Sequence, residues 1–457
     1  MKNCRLIAFA FCLFLDIALP NTFGQGVAPY PNAITDRVVR KETPKRAPRV
    51  NKVFRDPDFG SLMVRATDET TYSRHPNGYF RSPAVGEKNT WSADNKKFYF
   101  IGDGNALAFA FDPSTMKISS LPGATAGQPL VLPLGPSPMF SFVDPDLAYG
   151  TSNTKPFTIS EYRFSTNTAT PLIDTTTCGL QPSLDTTNRL VRTNEDVSLS
   201  SNDKRVAFSE GGSEEGNHMF VVVYDKNLGC RWYNTQTGQI GGQWGVSGYA
   251  TAPAFLIATA RLSGDGKYVK VYSYGFGEYF WDLETLRVTP CELHTDLHCG
   301  GYSALGHSSY INPFGGIDEM NIVKRPLDNL SAISPPLVWP LPEPHEWEQS
   351  KHFAWVNGDV DDNRPVCASI YSYDGDREIT REWDDEVVCI ETDGMASTVW
   401  RFAHHRAYMV SRFFNTQPLG NISKDGRFFL FTSGWDGQLG LTPDGTPRTD
   451  MWIVKLE

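Results

Sequence analysis

Ser263-Gly264-Asp265-Gly266-Lys267-Tyr268-Val269-Lys270-Val271-Tyr272 joins a tight turn to a β-rich run. Asp-Gly supplies the left-handed backbone that a short hairpin needs, and the following β-branched and aromatic residues have the character of a strand. The pattern recurs as Ser92-Ala-Asp94-Asn-Lys96 before FYFI, Ser201-Asn-Asp203-Lys-Arg205 before VAF, and Ser423-Lys-Asp425-Gly-Arg427 before FFLF. The serines are separated by 109, 62 and 160 residues, close to two, one and three multiples of about 55. Degenerate copies stand where that period puts them, at Asp144-Pro-Asp146, Tyr310-Ile-Asn312 and Trp355-Val-Asn357. Helical periodicity is nearly absent.

Seven units of short strands predict an all-β chain, a single seven-bladed β-propeller with four-stranded blades. Gly60 to Thr67 and Asp450 to Leu456 read as strands lying outside the repeats. Pairing them in one blade closes the ring and removes its free edges. The expected organisation is a signal peptide over 1–24, a Pro- and base-rich linker or arm over 25–55, and the propeller over 56–457.

The 457 residues are 40% hydrophobic and 21% charged, enough apolar mass for a large core. A formal net charge of −10 argues against nucleic acid and anionic membranes as partners. Lys2 and Arg5 followed by the apolar run Leu6 to Leu15 read as a signal sequence cut before Gln25, which gives a secreted or periplasmic monomer with no membrane insertion. Six cysteines then remain, at 178, 230, 291, 299, 367 and 389. An even number in an exported chain favours disulfides. Neighbour pairing gives 178–230, 291–299 and 367–389. Cys291, His294, His298 and Cys299 are a zinc set by ligand type, which competes with the second bridge. Asn329-Leu-Ser331 and Asn421-Ile-Ser423 match the glycosylation sequon.

The Ser-x-Asp-Gly-Lys/Arg turn before an apolar strand resembles the repeat of TolB-type, WD40-like propellers. Among exported seven-bladed propellers, the oligogalacturonate lyases are similar in size and repeat. That resemblance implies a metal held by His and Gln at the channel mouth, with a His and an Arg for chemistry. The family carries a Gln followed by His-x-His before its last Ser-x-Asp-Gly turn. Here Gln417 is present in Gln417-Pro-Leu-Gly-Asn421-Ile-Ser423, and both histidines are missing.

In a propeller, residues just before each turn motif gather at one mouth of the channel. Counting back five positions from the motif serine or its equivalent selects Glu87, Asp196, His307 and His352. Before the seventh inner strand stand His404, His405 and Arg406, with Arg412 beyond them. Two readings follow. In the first, a lyase acts on an acidic oligo- or polysaccharide, because β-elimination needs a base for the C5 proton and a cation for the uronate carboxylate. Its expected catalytic set is His307, His352, Arg406 and Tyr310. Arg412, Trp355, Trp400, Glu87 and Asp196 are expected to bind substrate, and His404, His405 and Gln417 to hold one divalent metal, Mn, Ca or Zn. In the second, a non-catalytic propeller binds a glycan or a protein partner at the same mouth.

Overall fold

The computed structural model describes residues 29–457 except 75–77, 84–86, 156, 181–195, 212–218, 274–276, 292–302, 313–321, 341–349, 356–361, 372–378, 380, 395–396 and 411–413. The proposed signal sequence, His294, His298, Cys299 and Arg412 lie outside the described residues. None of the described helices is long and apolar enough to cross a membrane.

Seven antiparallel sheets make seven blades. Blades 1 and 2 begin at Phe80–Arg81 and Met139–Phe140, blades 3 and 4 at Ser198–Leu199 and Ile257–Leu262, and blades 5 and 6 at Ala304–Leu305 and Ser350–Ala354. Blade 7 runs outward through Gly420–Ile422, Phe428–Ser433 and Asp450–Lys455, then Leu62–Arg65 and Val53–Arg55. The expected closure is therefore present, with Met63 paired to Val454. Seven apolar clusters fill the seams between successive blades, the last joining blade 7 to blade 1. The seven-bladed propeller is thus the fold.

Blade size departs from the uniform four strands. Blade 3 has six, ending in the edge strand Gly248–Tyr249, and blade 5 has three among the described residues. The turn motif works as its chemistry suggests. Ser92 Oγ bonds Asp94 and accepts from Lys97 N–H at 2.9 Å, and Ser263 and Ser423 repeat both contacts. In blade 3 the register is one residue off the sequence alignment. Ser200, not Ser201, makes the contacts, with Asn202 in place of Asp, and Asp203 takes the left-handed position at φ 56° that Gly266 holds at 74° in blade 4. Cys178–Cys230 and Cys367–Cys389 are bridged as expected, and Cys291 is also disulfide-bonded. These bridges fit a chain that folds in an oxidising compartment.

Candidate functional site

The chain enters each inner strand on one face of the ring, here called the top, and makes the Ser-x-Asp turns on the bottom. Below the top face the channel is filled by charge. Glu87 of blade 1 pairs with Lys270 of blade 4 across the channel and lies 3.7 Å from Arg261. Asp196 of blade 3 receives Arg261 and Lys88. Lys270 reaches Ser303 Oγ at 2.9 Å and Glu278 at 3.5 Å, and Tyr310 donates to the same Glu278 carboxylate. All of these residues are buried except Asp196, which is nearly so. Charges survive such burial only when paired and hydrogen-bonded, and the three acids here match the three bases. Burial pushes Asp196 up, but Arg261 and Lys88 outweigh it and hold its carboxyl below the usual range. Burial lowers Lys88 to about 8, and burial with Glu278 drives Tyr310 well above the ordinary phenol range.

The structure therefore brings together three residues that sequence reading selected, Glu87, Asp196 and Tyr310. It gives each of them an internal partner, so the cluster plugs the channel and forms the floor of any site above it. Lys88, Arg261, Lys270 and Glu278 were missed. The available signal was Lys270 in the middle of Tyr-Val-Lys-Val-Tyr, a charge at an inward position of an apolar strand.

His404, His405 and Arg406 sit at the top of the seam between blades 6 and 7, where His404 and Arg406 bind the N-terminal arm. Arg401, one turn of the strand earlier, pairs with Ile34 through the backbone and sends NH1 to Asp36 O and Val38 O at 3.0 and 2.8 Å. His404 places Nδ1 3.0 Å from Asp58 and Nε2 3.1 Å from Arg40 O. Arg406 donates to Glu42 Oε1 and Thr43 O, both at 2.8 Å. His405 donates Nε2–H to Ile370 O at 2.9 Å and accepts Ala407 N–H on Nδ1 at 3.1 Å. Burial lowers His404 to about 4 and His405 to about 3, and raises Glu42 to about 8 with help from Asp436. Both ring nitrogens of each histidine are thus engaged with protein, and Arg406 anchors the arm.

His352 and Gln417 do meet near the top of the channel. The His352 ring stacks on Tyr371 with centroids 5.6 Å apart, and Gln417 faces it. Burial holds His352 down to about 3. Gln417 Oε1 is buried without a well-formed hydrogen bond to a described residue. The remaining candidates lie elsewhere. His307 occupies the bottom turn of blade 5, where Asp362 accepts its backbone N–H, so it is not equivalent to His352 inside its inner strand. The alignment failed because blade 5 replaces the Ser-x-Asp turn with a shorter one closed by Gly306 N–H to Ser309 O. Trp355 fills the seam of blades 5 and 6, with Nε1–H on Arg364 O. Trp400 packs under the arm against Tyr30 at 5.5 Å. Neither ring faces solvent as a sugar platform must.

Among the described residues, a metal centre at the channel mouth would be built on His352 and Gln417, since both ring nitrogens of His404 and of His405 are taken up by protein partners and the stretch from Gln417 to Ser423 holds no histidine. Two donors do not make the site that the resemblance implies, and the described residues contain no group of three or more His, Cys, Asp or Glu arranged to hold a metal ion.

No family model and no curated protein sequence matches the chain. Solved structures do match in shape. An oligogalacturonate lyase in complex with manganese superposes with a TM-score of 0.53 and 11% identity, over 89% of this chain and 96% of that one. An oligogalacturonate lyase from Vibrio parahaemolyticus superposes with a TM-score of 0.51 and 13% identity over the same shares. At such identity the likeness is one of fold, and the chain shares the seven-bladed architecture of these propellers.

Proposed function

We propose that the chain is an exported, non-catalytic propeller that holds an acidic oligosaccharide at the top face of its plugged channel. The observation that carries this reading is the engagement of His404, His405 and Arg406: His404 and Arg406 hold the arm and His405 holds the blade 6 backbone, so none of the three stands ready as a base or metal ligand. The ligand class is the one named for the similar propellers. The bridged cysteines and the leader-like N-terminus support export.

A metal-dependent lyase is the second reading, favoured by the buried Gln417 Oε1 beside His352. The experiment is to incubate the purified protein with manganese and with polygalacturonate, following ultraviolet absorbance of the unsaturated product and, separately, binding by calorimetry. Binding without product is the expected result. Product formed with manganese and lost in His352→Ala would replace the binding reading with the lyase.

A further inference from the structure

On the bottom face, away from the channel mouth, a cavity of about 470 Å³ opens between blades 4 and 5. Its floor is made by Tyr268 and Phe280, which belong to the second and third strands of blade 4. Asp282 and Arg287 stand on one wall, Asp328 and Asn329 on the other.

Both walls are pinned. Leu327 and Leu330 are buried in the seam with Phe280, and they bracket the exposed Asp328 and Asn329. Leu327 N–H bonds Ser308 O at 2.9 Å, Ala332 N–H bonds Asn329 O at 2.9 Å, and Arg325 bonds Leu330 O at 2.7 Å. Opposite, Asp282 accepts Glu284 and Thr285 N–H at 2.8 and 3.1 Å, and its own N–H bonds Arg287 O at 2.8 Å. The side chains of Arg287, Asp328 and Asn329 and the Tyr268 hydroxyl make no hydrogen bond or ion pair with another described residue. Polar groups held on rigid turns around an aromatic floor, with their bonding capacity unspent, are the make-up of a ligand site.

We propose that this cavity binds a neutral hexose unit of a saccharide, at a site separate from the channel mouth. The Tyr268 ring offers an apolar face to the C–H side of a pyranose. Asp328, Asn329 and Arg287 offer paired acceptors and donors to adjacent hydroxyls. The volume lies in the range of small-molecule pockets. Charge selects the class. Burial, with Asp282, Asp328, Asp265 and Glu284 nearby, raises the Tyr268 phenol, and Arg287 is the one cation among the described lining residues. That field disfavours a uronate.

The test is calorimetric titration of the full chain with cellobiose, maltose, lactose and digalacturonate. Two comparisons are made, with Asp328→Ala/Asn329→Ala and with Tyr268→Phe. The double substitution lies on an exposed turn whose backbone bonds and leucine anchors remain, so the fold is kept. Binding of a neutral disaccharide, weakened about tenfold or more by the double substitution and less by Tyr268→Phe, is expected from the loss of two side chains' hydrogen bonds. The proposal is overturned if no neutral disaccharide binds, if binding is unchanged in the double variant, or if digalacturonate competes at this site. Digalacturonate binding that the double variant leaves intact reports on the channel mouth and does not bear on this cavity.

Discussion

Arg406→Ala separates an anchor from a catalyst. The guanidinium is fully buried and donates to Glu42 Oε1 and Thr43 O, each at 2.8 Å, with Asp436 at 3.5 Å and the Trp435 ring 5.1 Å from its centre. Removing one partner of a buried ion pair costs about 3–5 kcal/mol. The lower end applies here, because burial and Asp436 already push the Glu42 carboxyl up, so it takes up a proton readily when its cation is lost. The expected destabilisation is therefore about 3 kcal/mol, a fall in Tm of roughly 3–4 °C for a domain of this size. Glu42→Gln should cost far less, about 1 kcal/mol, since the amide keeps an acceptor for Arg406. Thermal melts of the three proteins measure this, and limited proteolysis between residues 36 and 58 reports whether the arm has come away. A variant with unchanged Tm and an intact arm refutes the anchoring role, and returns Arg406 to the candidates for substrate contact.

Lys270→Met takes their shared cation from Glu87 and Glu278, leaving Glu87 with Arg261 and Glu278 with Tyr310 and Ser303, and should lower unfolding free energy by about 3 kcal/mol in denaturant titrations. Replacing both cysteines of the 178–230 bridge by Ser should cost about 4 kcal/mol, against about 3 for the 367–389 bridge, because the closed loops span 52 and 22 residues. The His352 pKa is depressed from 6.5 to about 3, so the unfolded chain takes up that proton first as pH falls. Its contribution is complete above 6.5 and is lost on acidification towards 3. His352→Gln should therefore flatten the acid limb of the stability profile relative to wild type. Glu210, raised by burial to about 7, acts in the opposite sense. Its contribution is present below 4.5 and lost as pH rises through 7, and Glu210→Gln should remove that loss.

The turn motif made the fold legible because each of its residues has a separate backbone task. Ser caps, Asp or Asn accepts, and the fourth position takes the left-handed conformation, so even the shifted copy at Ser200 kept the spacing nearly right. The candidate site was less legible. Glu87 and Asp196 were found by position, but nothing local to them shows that Lys270 and Arg261 reach them, since these pairings span the channel or successive blades. His404 and His405 read as free ligands because their partners, Asp58, Arg40 and Ile370, are distant in sequence. A basic arm next to a propeller looks like a tether until its backbone carbonyls are seen accepting from Arg401 and Arg406.

Blade 7 also sets an order on assembly. Leu62–Arg65 emerges early and finds its neighbour, Asp450–Lys455, only after almost every other blade has been made. Until then the chain is an open arc with an unpaired strand edge at each end, and edges of that kind recruit other chains. Closing the loop between them is a contact of very high sequence separation, and such contacts form slowly. A nascent or translocating chain therefore passes through a period in which its vulnerability lies at the future seam of the ring, and the pairing of Leu62–Arg65 with Asp450–Lys455 is what ends it.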